Sequence, residues 1–264
     1  MPKICWEEHT WPELREAARQ GRVVVLPVGT IEQHGPHLPL ATDCITSREM
    51  SRLAVERCPA DAVLMPQVHY GFNEHHLDFP GTIAVDGPTF INYVTDIGKS
   101  VAHHGFRKIL FINGHGSNVP FLDIAARNIT NRTPAICALA PWWTLAEPAV
   151  TEIRESEIPG GMAHGCELET SVLLYLRPDL VDMSQAVKDI NFPPSKWIYW
   201  DLQKSSPVTF MDFFSRFSRT GINGDPTLAT REKGERVVEC VVNNLVDFIK
   251  EFRAREIAQR VDHH

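Results

Sequence analysis

The sequence predicts an α/β fold: a single domain over residues 1–264 with a mainly parallel sheet flanked by helices. Three observations carry this. The run RVVVLPVG at 22–29 is continuous and β-branched, as in strands buried on both faces of a parallel sheet. Strand-length apolar runs then alternate with helix-length segments, the pattern of successive right-handed βαβ units. Finally, 264 residues that are 43% hydrophobic can bury the core of one large domain.

Taken in order, the first helix starts at Thr10, where Thr10 and Glu13 form a capping-box pattern with Pro12 in the first turn. The first strand follows, with Pro27, which has no N–H for a ladder, near its C-terminal end. TSREMSRLAVERC reads as a helix capped at Thr46 with Glu49 three residues on. AVLMP at 62–66 is a strand, 88–105 a helix closed by Gly105, and KILFI at 108–112 a strand. A helix over about 119–131 and a strand at 135–140 complete the alternation. The run LETSVLLYL is helical, and a last helix over about 230–255 covers the sheet. The Pro-, Trp- and Phe-rich stretch from about 191 to 226 reads as an excursion or an oligomer contact, because it holds too many large apolar residues for a linker.

A net charge of −7 without blocks of like charge gives no electrostatic footprint for nucleic acid or an anionic membrane. No apolar stretch approaches the roughly 20 residues that span a bilayer, and the first residues lack the features of a signal peptide. A cytoplasmic protein is expected, its partner a small molecule or another copy of the chain. Six cysteines without a CxxC pair argue for reduced thiols rather than a zinc ribbon.

In parallel sheets ligands gather at the carboxyl ends of the strands. The segments leaving the four strands are TIEQHGPH, QVHYGFNEHH, NGHGSN and PWW, so the metal-competent residues share one rim. Connectors at the opposite end, such as CPAD and NRTP, carry no such cluster. Glu32 and His34, two apart in an extended loop, can face the same way. Asp43 stands at the entrance to the next helix, where it is either a ligand or a helix cap. His115 lies between glycines that let the chain turn sharply over the sheet edge. In AHGCELETS, His164, Glu167 and Glu169 meet a helix start; acid there suits the macrodipole, but for Glu169, followed by an apolar run, a metal explains burial better than solvent does. Zinc, manganese and iron all accept imidazole together with carboxylate.

LPVGTIEQHGPHLPLATD, EHHLDFPGTIAV, NGHGSN and HGCELETS, in this order and spacing, resemble the creatininase (creatinine amidohydrolase) superfamily. The resemblance implies a creatininase-like metallohydrolase domain, a homo-oligomer that is usually a hexamer, and two divalent ions per chain, zinc with manganese or iron as alternatives. It implies hydrolysis of a C–N bond in a small amide, cyclic amide or formamide. By matching motif positions, Asp43 would bridge the metals, with His34 and His115 completing one site and Glu32 with a carboxylate, Glu169, the other. Two departures matter. Ser117 stands where creatininase has a ligand carboxylate, and Pro159, Gly160 and Gly161 stand where it has a lid tryptophan. Creatinine is therefore expected to be a poor substrate.

A hydroxide held between two ions would attack the carbonyl. His164 is the expected proton donor to the leaving nitrogen, with Glu167 as runner-up. Ser117 and Asn118, or the backbone N–H groups around them, are candidates for substrate or oxyanion contacts. His76 is a candidate substrate contact, while His75, His103 and His104 read as surface or packing residues. Trp142 and Trp143 lie on the rim and either wall the pocket or pack in the core. Cys166 has no dedicated base and needs none. The alternatives are a deformylase or peptidase on the same architecture and a non-catalytic metal-binding assembly protein.

Overall fold

A computed structural model describes residues 2–264. Strands β1 (Val23–Val28), β2 (Ala62–Leu64), β3 (Lys108–Asn113) and β4 (Ile136–Pro141) form a parallel sheet in the order β2-β1-β3-β4. Parallel neighbours need crossover helices, and these are α2 (Thr42–Arg57), α3 (Gly87–His103) and α4 (Val119–Arg132). The first strand is entered from α1 (Trp11–Arg19), which carries the Thr10–Glu13 capping box.

Side chains of β1 alternate between two cores. Val23 and Val25 pack with residues of α2, α6 (Glu167–Leu176) and α7 (Arg231–Ala254). Val24 and Leu26 pack with α3, α4 and the aromatic rings of Phe90, Phe106 and Phe111. Each of these fully buried rings contributes about 1.5–3 kcal/mol relative to exposure. Pro27 is tolerated in a central strand because β2 pairs with β1 only as far as Val25; beyond that point its carbonyl accepts from Val68 N at 3.0 Å.

The chain leaves β1 to pair β2 on one side, then crosses back to pair β3 on the other. This reversal opens a crevice at the carboxyl ends of β1 and β3, the place where doubly wound sheets bind ligands. A second, antiparallel pair of strands, β5 (Met162–His164) and β6 (Asn223–Gly224), brings the third polar cluster to the same edge.

The structure corrects one of these expectations and adds to two others. Helix α2 starts at Thr42 rather than Thr46, and the Thr46 hydroxyl donates to Asp43 O inside the helix instead of capping it. A helix α5 (Glu147–Ile153) follows the Trp-Trp pair, in a segment for which no element was expected. The stretch 191–226 is indeed an irregular excursion, but its first part walls a cavity rather than only presenting a surface. Among the described residues no helix is long and apolar enough to cross a membrane. All six cysteines are free thiols.

Candidate metal centre

Five side chains proposed from three separate segments converge. Asp43 sits in the first turn of α2 with its two oxygens divided: Oδ1 lies 3.1 Å from His34 Nε2 and Oδ2 lies 3.4 Å from His115 Nδ1. Glu32 Oε1 is 3.1 Å from His115 Nδ1, and Glu169 Oε1 is 3.7 Å from His34 Nε2. Ligand atoms of Glu32, Asp43 and His115 form one compact group, and those of His34, His164 and Glu169 another. His115 thus lies beside Glu32 and His34 beside Glu169, a grouping different from the expected one, and Glu32 also groups with His76 and His164. Two-residue alternation places Glu32 and His34 on one face, but only the return of β3 decides which imidazole each carboxylate meets.

Close backbone packing sets this geometry. A Cβ on Gly114 would lie 2.2 Å from Asp43 O, so only glycine lets the turn after β3 come down on the start of α2. The imidazoles are then fixed by their outer nitrogens. His115 Nε2 donates to Phe72 O at 3.0 Å, and His34 Nδ1 donates to Glu32 O at 3.3 Å. Each leaves its other nitrogen turned to the carboxylates. Glu169 occupies the third position of α6, where Oε2 accepts from Cys166 N at 3.4 Å while Oε1 faces His34.

The group is fully buried, yet Glu32 Oε1 and Oε2, His34 Nε2 and Asp43 Oδ2 have no hydrogen-bond partner. Buried polar atoms of this kind are costly unless something else satisfies them. Lone pairs of carboxylate and imidazole converging without donors fit divalent metal ions. The electrostatics agree. Burial disfavours the charged form of His115, but Glu32 and Asp43 overcome it and raise its pKa to about 10. His34 is likewise raised against burial by Asp43 and Glu169. Burial raises Glu32 despite His115, whereas His34 and His115 hold Asp43 well below the ordinary carboxylate range. The cluster thus holds protons in place of cations.

His164 lies beside this group, with Nδ1 3.8 Å from Glu32 Oε1 and Nε2 donating to Gln33 O at 2.6 Å. Burial and the neighbouring His34 lower its pKa, so its ring is neutral with Nδ1 free. His76 also faces the cavity; its Nδ1 accepts from Gln33 Nε2 at 2.9 Å. Ser117 lines the cavity and contacts His75 Nε2 at 3.2 Å. Trp143 lines it too.

Three candidates do not reach the site. The Glu167 carboxylate turns away, accepting from Lys233 Nζ at 2.5 Å and Ser156 N at 2.9 Å. Asn118 is a buried brace whose Oδ1 accepts from Phe72 N while Nδ2 donates to Gly29 O. Trp142, 1% exposed, belongs to the core under the sheet. Sequence reasoning missed Gln33, His75, Trp200 and Phe214. For Gln33 the signal was its place between two ligands; His75 was set aside as surface. Trp200 and Phe214 belong to a stretch without periodicity. His103 and His104 are exposed. Burial and Glu169 raise the Cys166 thiol, which keeps it protonated.

Buried carboxylates and imidazoles at the reversal point of a parallel sheet make this an α/β protein with a candidate metal centre. The chain belongs to the creatininase family, whose model, described as creatinine amidohydrolase, matches residues 7–249. It is a creatininase-like hydrolase acting on C–N bonds. It is 31% identical over 259 residues to creatinine amidohydrolase of Pseudomonas putida, covering 92% of this chain and 95% of that protein. It is 34% identical over 235 residues to the mycofactocin precursor peptide peptidase of Mycolicibacterium smegmatis, covering 88% and 85%. A crystal structure of creatininase superposes with a TM-score of 0.81 at 27% identity, over 97% of this chain and 100% of that one. A zinc–zinc form of a creatininase mutant superposes with a TM-score of 0.80 at 28% identity, over 97% and 100%.

Proposed function

We propose that this protein is a dinuclear metal-dependent amidohydrolase that cleaves the C–N bond of a small amide, cyclic amide or formamide. The observation that carries this is the set of buried, unpartnered lone pairs on Glu32, His34 and Asp43, flanked by His115 and Glu169. Asp43 would serve both ions, Glu32 and His115 one, His34 and Glu169 the other. Zinc is the expected metal, with manganese or iron as alternatives. Such ions, when bound, lower the pKa of water and polarise a carbonyl.

The chain's own residues do the rest. His164 is neutral with Nε2–H tied to Gln33 O, so Nδ1 is the atom that can take a proton. It accepts the proton shed as water adds to the carbonyl and returns it to the leaving nitrogen. His76, held by Gln33, and Ser117 border the space for the substrate. The Phe214 ring, stacked on His76 at 4.5 Å and lying 4.8 Å from His164, excludes water from this pair.

The peptidase-type alternative is kept because a mycofactocin precursor peptide peptidase is 34% identical. Assembly as a homohexamer rests on the family resemblance and is tested by light scattering, whereas a cytoplasmic location rests on the sequence reading of its apolar stretches and first residues. Creatinine is expected to be turned over poorly: an aromatic lid contact to a flat cation contributes about 1–2 kcal/mol, and the turn 159–161 has none. The test is elemental analysis after metal loading, together with rates on lactams, hydantoins, formamides, short peptides and creatinine. About two ions per chain and hydrolysis of a small amide are expected. A maximum of one ion, or creatinine turnover above every other substrate, defeats the proposal in its metal count or its pocket.

A further inference from the structure

The cavity that contains the cluster has a volume of about 1030 Å³, at the upper end of the ~300–1,000 Å³ of sites that enclose drug-sized molecules. A lone lactam ring beside the metals leaves most of it empty. The remainder is lined by aromatic side chains from two sources: Phe72, Phe121 and Trp143 from segments that follow the sheet strands, and Trp200, Phe210 and Phe214 from the excursion.

Trp200 is held in place by other rings, stacked on Phe192 at 5.4 Å and lying 5.8 Å from Phe214 and 4.8 Å from Phe217. Since Phe214 touches His76 and His164, the aromatic wall runs without a break from the reacting end outward. The turn before β5 does not fill this space. Gly160 has φ +104°, and a Cβ on Gly161 would lie 2.5 Å and 2.6 Å from Glu157 N and O, so neither position carries a bulky side chain over the cluster. Asp201 and Asp212 of the excursion are already paired, with Arg154 at 2.6 Å and with Arg216 at 2.7 Å, and the other charged side chains that line the cavity outside the cluster, Glu74 and Lys204, are exposed to water.

We infer that the substrate's scissile amide carries a bulky, uncharged apolar limb, aromatic or branched aliphatic, which lies along Trp200, and that Trp200 sets the preference for it. The inference rests on the amidohydrolase reading above. Burying such a limb removes apolar surface of both partners from water, and a well-fitted apolar contact discriminates by about tenfold or more.

The test uses the zinc-loaded protein and two amide pairs, butyramide with 4-phenylbutyramide and N-ethylacetamide with N-(3-phenylpropyl)acetamide, which place the limb on either side of the C–N bond. Expected is a kcat/KM at least about tenfold higher for the phenyl member of one pair, a preference that Trp200→Ala cuts by about tenfold and Trp200→Phe largely restores. Binding of all four compounds is measured by calorimetry in parallel. Should Trp200→Ala not fold, Phe210→Ala, at a residue 37% exposed on the same wall, carries the comparison. Equal rates and equal binding within both pairs, or a preference untouched by these variants, overturns the inference while hydrolysis of the short amides keeps the amidohydrolase reading. Variant-sensitive binding of the phenyl compounds without hydrolysis of any amide supports the limb site and overturns that reading instead. Failure to bind or cleave any of the four overturns both.

Discussion

The two walls of the cavity are built in opposite ways. The inner wall hangs on β1, α2, β3 and α6, is fully buried, and holds polar atoms that the protein itself leaves without partners. The outer wall comes from an excursion with little regular structure, and its side chains, including Met211 and Phe213, are partly open to water. Precision in the first costs stability and is held by the sheet; exposed side chains of the second can change with less effect on the fold. The proposed chemistry belongs to the sheet-borne wall and the proposed substrate choice to the wall built by the excursion.

The strongest way to break this contrast is Asp43→Ala. Removing the carboxylate shared by both halves of the cluster should weaken metal uptake by more than about a hundredfold, beyond what outer partners of a metal site contribute. Activity should go with it. Metal content and melting temperature separate this from a helix-end effect, which would cost only about 0.3–1 kcal/mol with metal retained.

Glu167→Gln probes the boundary behind the inner wall. Its carboxylate pairs with Lys233, which also meets Glu155 at 2.6 Å, so losing the Glu167 charge should cost about 1–3 kcal/mol. Thermal unfolding should shift down by several degrees, while kcat per folded, metal-loaded molecule stays within about twofold. A hundredfold loss of kcat in a fully folded variant would return Glu167 to the proton-transfer role.

Metal loading should release about one to two protons per chain at pH 8, because His115, raised to about 10, and His34, raised as well, hold protons that cations displace. Folded His115 binds its proton more tightly than the unfolded chain does. Its contribution to metal-free stability is therefore full below the ordinary imidazole value of about 6.5 and is lost as pH rises through about 10. Calorimetry in buffers of different ionisation enthalpy counts the protons. Uptake without proton release would mean that metal enters elsewhere.

The smallest effect is expected on the outer wall. Met211, 58% exposed, should accept Met211→Ser with a stability change within about 0.5 kcal/mol by urea denaturation. A loss of several kcal/mol there would show that the excursion is a load on the fold rather than an addition to it.

Part of the inner wall was legible in the sequence because strand-end loops in a parallel sheet share one rim whatever their side chains, and Glu32, His34 and His115 follow from that rule, whereas Asp43 at a helix entrance and His164 and Glu169 beside the antiparallel pair β5–β6 came from the motifs that resemble the family. Glu167 was not separable from Glu169 in that way. Both stand in the first turn of one helix, and a rotation of about 200° between them decides which meets His34 and which meets Lys233. Trp142 and Trp143 pose a similar problem at the end of β4, where both rings pack in the core and only Trp143 also reaches the cavity.

The sequence by itself thus determined the parallel sheet, its ligand-bearing edge and the residue types able to bind metal, because these depend on local periodicity and on loop position. Only the tertiary structure decided which imidazole meets which carboxylate, that Gln33 holds His76 and His164, and that 191–217 supplies an aromatic wall. Those contacts join residues far apart in the chain, and their geometry comes from how backbones pack, as where Gly114 descends on Asp43, which no local pattern encodes.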